Sequence, residues 1–230
     1  RANGVNAITI KDGDQLLDAK MTNGKCDIMI AVKSGKAIRF PEEKVRPMGR
    51  TASGVKGISL DNEGDEVIGM ICIESGKSDV LVVSENGYGK RSQVEDYRVT
   101  NRGGKGVKTL NITEKTGRLV AIKVVTDEND LMIINKCGIL IRLKVSECRV
   151  MGRATQGVRL INLTKKNDVI SSVCKVMSSD LEALVEAESR KEWAQTSEAF
   201  KNDTQAIPTD TDSDDDTLPD ISDEDKFDEQ

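Results

Sequence analysis

No histidine occurs anywhere in these 230 residues. That removes the usual general base at neutral pH, the middle member of a conventional triad and the common nitrogen ligand of zinc. Five cysteines are present (Cys26, Cys72, Cys137, Cys148 and Cys174), and none forms a CxxC pair. An odd number of dispersed thiols, most within or beside apolar runs, predicts reduced, buried side chains in a cytosolic protein and no metal site. Aromatic residues are only 3% of the chain, which argues against a platform for stacking single-stranded bases. No apolar run approaches the ~18 residues of a membrane-spanning helix. The stretch Gly103-Gly-Lys-Gly-Val-Lys-Thr109 is rich in glycine and lysine but does not satisfy GxxxxGK[ST]. Asp61, Asp65 and Glu66 fall in turn-like contexts with no partner group for acid–base work. No catalytic site is expected.

Hydrophobic residues make up 37% of the chain, and the deficit lies at one end. Residues 178–230 hold 18 acidic and 4 basic side chains, a net of −14. Of the chain's 39 and 34, that leaves 21 acidic and 30 basic for residues 1–177, a net of +9. A basic body with an acidic tail suggests a polyanionic partner such as nucleic acid.

What the body does contain is a repeat. Arg50-Thr-Ala-Ser-Gly54-Val55-Lys56, Arg102-Gly-Gly-Lys105-Gly106-Val107-Lys108 and Arg153-Ala-Thr-Gln-Gly157-Val158-Arg159 align at offsets of 52 and 51 residues. The same offsets relate Gly35, Gly87 and Gly138, and likewise Leu60, Ile112 and Leu163. Residues 28–73, 80–125 and 131–176 are therefore three copies of one unit. A half copy at Gly4-Val5-Asn-Ala-Ile8-Thr-Ile10 matches Gly54–Leu60, so residues 1–25 are expected to be part of a further unit of a larger protein.

Each unit opens with a short β-branched run, Ile28–Val32, Val80–Val83 or Leu131–Ile134, which predicts a strand. Turns follow at Ser34-Gly35, Asn86-Gly87 and Cys137-Gly138. A second strand carries Arg39, Arg91 or Arg142. Third strands are expected through Val55–Leu60, Val107–Ile112 and Val158–Leu163, and fourth strands through Val67–Ile73, Leu119–Val125 and Val169–Val176. The expected fold class is all-β and propeller-like, with four-stranded blades and about three and a half repeats. A unit this small must stack on its neighbours to bury its sheet. After Met177 the pattern changes. Ser179-Asp-Leu-Glu182 has capping-box spacing, so residues 178–201 should hold a linker with a short helix. Residues 202–230 are expected to be a disordered acidic tail.

Four columns are basic in all three units: Arg39/Arg91/Arg142, Arg46/Arg98/Arg149, Arg50/Arg102/Arg153 and Lys56/Lys108/Arg159. Lys105 adds to the middle copy. Cations in register on a repeating scaffold form a band of positive charge, and duplex DNA offers about one negative charge per 1.7 Å of axis. For any single arginine the alternative is an ion pair with an acid of a neighbouring unit. No recognition helix is evident, so the band should grip phosphates without reading sequence. A curved track would bend DNA, at a cost of about 1–6 kcal/mol for a 20–30 bp site.

The segments Ser84-Glu-Asn-Gly-Tyr-Gly-Lys-Arg91, Thr100-Asn-Arg-Gly-Gly-Lys-Gly106 and Val150-Met-Gly-Arg-Ala-Thr-Gln-Gly157-Val158 resemble blades of the DNA gyrase A C-terminal domain. The resemblance spans about residues 1–177. It implies a β-pinwheel whose blades exchange strands, with double-stranded DNA wrapped on its basic rim. It also implies partners: the rest of gyrase A, and gyrase B, in an A2B2 complex, in the bacterial cytoplasm and not at a membrane. ATP and Mg belong to the holoenzyme elsewhere and no cofactor to this stretch. The family's box reads QRRGGKG; Arg102-Gly-Gly-Lys105-Gly106 keeps five of those letters, with Thr100 and Asn101 in place of Gln and Arg. Tyr88 and Tyr97 sit at repeat positions and not at the family's catalytic tyrosine. Acidic tails tune wrapping in the family, and Asp210 to Glu229 would do so here by competing for the rim. A topoisomerase IV-type DNA-binding domain and a propeller that docks an acidic protein remain open alternatives.

Overall fold

Eleven strands follow the repeat in a computed structural model that describes residues 4–74, 76, 78–163 and 168–177. The expected helix and acidic tail lie outside the described residues. The strands are β1 (Asp27–Val32), β2 (Lys36–Pro41), β3 (Val67–Ile73), β4 (Asp79–Ser84), β5 (Tyr88–Gln93), β6 (Val107–Lys108), β7 (Leu119–Val125), β8 (Asn129–Asn135), β9 (Leu140–Lys144), β10 (Val158–Arg159) and β11 (Ile170–Met177). A single 3-10 turn follows β2, β5 and β9 in turn.

The hairpins β1–β2, β4–β5 and β8–β9 close at Gly35, Gly87 and Gly138, each with φ near +80°. Glycine enters that left-handed region without the Cβ penalty. β3, β7 and β11 return antiparallel to β1, β4 and β8. The sheets run β3-β1-β2-β6, β10-β5-β4-β7 and β11-β8-β9.

A sheet does not coincide with a repeat. β6 belongs to the second repeat but pairs with β2 of the first, Lys36 opposite Lys108 and Ala37 opposite Val107. β10 of the third repeat pairs in the same way with β5, Gly89 opposite Val158. The donor strands are shorter than expected, two residues each, because the chain then folds over the hairpin turn of the acceptor. Thr109 and Leu110 both donate N–H to Gly35 O, and Leu160 and Ile161 both donate to Gly87 O. Val55–Leu60, expected to be a strand, forms none, and neither does the half copy Gly4–Ile10 that matches it. A strand needs a ladder partner, and no acceptor sheet precedes the first one among the described residues.

Alternation along each strand sends side chains to opposite faces. Met29, Ala31, Ile71 and Ile73 meet Val80, Val82, Leu110, Leu119 and Ile122 between the first two sheets. Leu81, Val83, Ala121 and Val125 meet Leu131, Ile133, Val145 and Val173 between the second and third. Cys26 and Cys148 are buried as expected, whereas Cys137 and Cys174 are exposed. The turn acids are occupied structurally: Asp65 accepts from the Ser34 backbone and hydroxyl, and Glu66 pairs with Lys33.

Candidate nucleic-acid interface

The four basic columns separate into groups with different work. The arginines of β2 and β5 sit mid-strand and point between sheets, not outward. Arg39 donates to Asp27 at 2.8 Å and to the carbonyls of Val94 and Tyr97 in the next repeat at 2.8 and 3.3 Å. Arg91 donates to Cys148 O at 2.8 Å and to Asp127 at 2.5 Å, with Asp79 at 3.5 Å. Their side chains are only 16% and 9% exposed. Arg142, the third member, pairs with Asp130 and is 42% exposed. Burial raises the Asp79 pKa above the ordinary value, and Arg91 only partly offsets it. Two of these three arginines are clips between sheets, so the expectation that Arg39 and Arg91 face DNA is corrected.

The column Arg46, Arg98 and Arg149 follows each 3-10 turn and is exposed. Among the described residues, no side-chain hydrogen bond or ion pair holds these three guanidinium groups, nor the side chains of Arg50 and Lys56. Lys105 and Lys108 are exposed too. Lys105 shares Asp61 with Lys36, at 3.4 Å from Lys105, and Lys108 reaches Asn111 at 3.4 Å. Hydrogen bonds from Lys36 and then Lys105 lower the Asp61 pKa. Arg159 stacks over the Tyr88 ring at 5.5 Å and donates to its hydroxyl at 3.0 Å, with Lys115 also 5.5 Å from the ring. That hydrogen bond is the chief reason the Tyr88 pKa falls.

Arg102 and Arg153 join the loops. Arg102 donates to Lys44 O and Lys56 O, both at 3.1 Å, and Arg153 donates to Lys108 O at 2.8 Å. Backbone bonds reinforce the joint: Ser59 N–H to Gly104 O, Gly103 N–H to Gly57 O, and Asn111 N–H to Thr155 O. Loop 50–56 is thus bonded to loop 102–108, and loop 102–108 to loop 153–159. Gly106 and Gly157 make the approach possible. A Cβ at Gly106 would stand 2.6 Å from Ala37 O, and one at Gly157 would stand 2.5 Å from Gly89 O.

Lys90 escapes a reading of the sequence for basic columns. It is fully buried on β5 and donates to Gly152 O at 2.6 Å. Desolvation pulls its pKa down to about 8. A signal exists: its repeat partners are Ile38 and Ile141, so the lysine stands in an apolar column.

Three sheets, two of them completed by a strand of the following repeat, with basic segments in one bonded row define the class: a β-pinwheel of the kind found in type II topoisomerases. The family model of the DNA gyrase C-terminal domain, beta-propeller, matches residues 1–23, 27–74, 78–126 and 129–173, and the chain belongs to that family. The DNA gyrase A protein of Staphylococcus aureus strain MRSA252 is 51% identical over 175 residues, which is 76% of this chain and 20% of that protein. The relative from strain N315 matches to the same extent. The chain spans about a fifth of the length of the curated relatives it matches. Among solved structures, a DNA gyrase A C-terminal domain superposes with a TM-score of 0.69 at 26% identity, covering 76% of this chain and 59% of that one. The C-terminal domain of a DNA topoisomerase IV superposes at 0.71 with 25% identity, covering 79% and 57%. Among the described residues no helix is long and apolar enough to cross a membrane.

Proposed function

We propose that this chain binds duplex DNA without sequence preference and bends it along the row of basic loops, as the wrapping part of a DNA gyrase. The observation that carries the reading is the pair of loop-to-loop bonds, Arg102 to Lys56 O and Arg153 to Lys108 O. They hold cations of three repeats along one track. The phosphate-facing set is Arg46, Arg50, Lys56, Arg98, Lys105, Lys108, Arg149 and Arg159. Arg39 and Arg91 hold sheets together, Arg142 pairs with Asp130, and Arg102 and Arg153 space the loops. The chain performs no reaction itself. ATP hydrolysis, with its Mg, and strand passage fall to the rest of gyrase A and to gyrase B, in an A2B2 enzyme of the bacterial cytoplasm. The bent duplex presents a crossing to that core.

The test is duplex binding by the chain across a salt titration. Eight neutralised phosphates predict a log–log slope of about −7. A slope near zero ends the proposal. Equal affinity for unrelated duplex sequences is also required, since these cations lie on loops and short strand ends, and among the described residues there is no helix longer than a 3-10 turn to enter a groove.

A further inference from the structure

Where β10 joins β5, Tyr88 stands opposite Arg159; one repeat earlier, where β6 joins β2, Lys36 stands opposite Lys108. The two joints share a framework. Lys108 reaches Asn111 at 3.4 Å, and Arg159 reaches Asn162 at 3.3 Å. Lys105 reaches Asp61 at 3.4 Å, and Gln156 reaches Thr113 at 3.5 Å, each residue of the second pair being the repeat counterpart of one in the first. The joints differ in charge. At the first, the Asp61 carboxylate sits between the ammonium groups of Lys36 and Lys105, so the framework accepts an anion at that point. At the second, Thr113 brings no charge, and among the described residues no carboxylate pairs with Arg159 or Lys115.

Lys115 belongs to none of the basic columns, because its repeat counterparts are Glu63 and Lys166. A braced turn carries it. Asn86, in the hairpin turn of the second sheet, donates through Nδ2 to the carbonyls of Glu114 and Lys115 at 3.1 and 3.2 Å, and its N–H donates to Thr116 O at 3.2 Å. The Thr113 N–H donates to the Thr116 hydroxyl at 2.9 Å. The Lys115 ammonium thereby lies 5.5 Å from the centre of the Tyr88 ring, the same distance as the Arg159 guanidinium. A ring face attracts cations, so one tyrosine gathers two of them. The two also approach one oxygen. The Tyr88 hydroxyl accepts from Arg159 Nη2 at 3.0 Å and Nε at 3.3 Å, and Lys115, after Arg159, helps to lower its pKa. A phenolic hydroxyl can donate while it accepts, and this one has no acceptor for its own proton among the described residues. Two cations and one free O–H donor converge at a single point on the row of basic loops.

We propose that Lys115, Tyr88 and Arg159 cradle one and the same backbone phosphate of the duplex, with Tyr88 as the residue that holds the two cations together. The inference rests on the DNA-binding reading above and adds Lys115 and Tyr88 to it. Arg159 and Lys115 each supply a charge-assisted hydrogen bond to the phosphate oxygens, and the Tyr88 hydroxyl donates a third. The first joint holds its phosphate less firmly, because there the Asp61 carboxylate competes for Lys36 and Lys105. The two joints therefore grip the duplex unequally, although the repeat makes their backbones alike. Because the cradle serves one phosphate, it leaves the number of neutralised phosphates as it was.

The test is duplex binding across a salt titration by the wild-type chain, Lys115→Gln, Arg159→Gln, the double variant and Tyr88→Phe. Each single glutamine variant leaves one cation on the phosphate, so affinity at fixed salt should fall about threefold to tenfold with the slope unchanged. The double variant leaves that phosphate without a cation, and the magnitude of the slope should fall by about 0.9. Tyr88→Phe keeps the ring beneath both cations and loses only the hydroxyl; affinity should fall about threefold, with slope and melting temperature unchanged. A wild-type slope near zero ends the DNA-binding reading and this inference with it. A steep wild-type slope with Lys115→Gln binding as tightly as wild type overturns the cradle alone. So does a slope that falls by about 0.9 in each single variant, which would give the two cations separate phosphates. Tyr88→Phe that binds like wild type, or that loses affinity only together with melting temperature, also overturns it, since the hydroxyl would then be a structural bond.

Discussion

The guanidinium of Arg102 donates to the backbone carbonyl of Lys56 at 3.1 Å, and one unit further on Arg153 does the same to Lys108 at 2.8 Å. The arginine of each loop thus fixes where the preceding loop carries its own cation. Spacing and charge are divided between different residues, and substitutions should separate them.

Lys56→Gln removes an exposed cation whose side chain has no protein partner among the described residues. It should lower the magnitude of the salt slope by about 0.9 and leave stability within about 0.5 kcal/mol. Arg102→Gln removes the same charge but should leave the slope unchanged, while lowering stability by about 1 kcal/mol and reducing the bend reported by fluorescence transfer between duplex ends. Arg102→Lys should behave like Arg102→Gln, since an ammonium cannot replace a planar fork spanning two carbonyls. Full rescue by lysine, with a reduced slope in the glutamine variant, would make Arg102 a phosphate contact instead.

The donor strands depend on a glycine with no room above it. Gly106 has φ +73° and its Cβ position lies 2.6 Å from Ala37 O. Gly54, with φ +88°, faces open space. Gly54→Ala should therefore cost only the left-handed backbone penalty, about 1 kcal/mol. Gly106→Ala must also push the donor off β2 and should cost more than about 2 kcal/mol. Urea unfolding of the two variants side by side checks the difference; equal losses would mean that the close approach contributes nothing.

The period, the hairpins and their strands were legible because each depends on local pattern. β1 begins one residue before the expected Ile28, and β3 and β7 match their expected bounds. The destination of the third strand was not legible from pattern, because a repeat of 51 or 52 residues says that units are alike, not which sheet receives which strand. The column holding Arg39 and Arg91 misled for a related reason. A column fixes a common environment, and that environment is the interior for Arg39 and Arg91. A second column could have revealed it: Asp27, Asp79 and Asp130 recur with the same offsets, always twelve residues before the arginine they pair with. No such acid tracks Arg46, Arg98 and Arg149 as a partner, and all three are exposed.

Arg91 and Arg98 offer a direct comparison within one repeat. Arg91→Met breaks the bond to Cys148 O and leaves Asp79 facing Asp127 without a cation, which should cost about 2–3 kcal/mol. The salt slope of DNA binding should not change. Arg98→Gln should do the reverse, with the melting temperature preserved and the slope reduced by about 0.9. If Arg91→Met, measured well below its melting point, flattened the slope, then the clip would also be touching phosphate.

Lys90 gives a prediction in pH. Its ammonium is buried with one hydrogen bond, and desolvation lowers its pKa from an ordinary 10.5 to about 8. Below pH 8 the lysine is protonated in both folded and unfolded chains, so the folded state carries the whole cost of burying the charge. Between about pH 8 and 10.5 the unfolded chain binds the proton more tightly, and this group makes stability rise with pH. Above 10.5 the amine is neutral in both states and the cost is gone. Lys90→Met removes the charge, and Gly152 O keeps two donors from Thr155, at 3.2 Å from its N–H and 2.9 Å from its hydroxyl. The variant should therefore be more stable than the wild type at pH 7, by up to about 3 kcal/mol, with the gap closing as pH rises from 8 to 10.5. Urea midpoints of both proteins across that range decide it. A methionine variant that is less stable at pH 7, with a gap independent of pH, would mean that the Gly152 bond outweighs the buried charge.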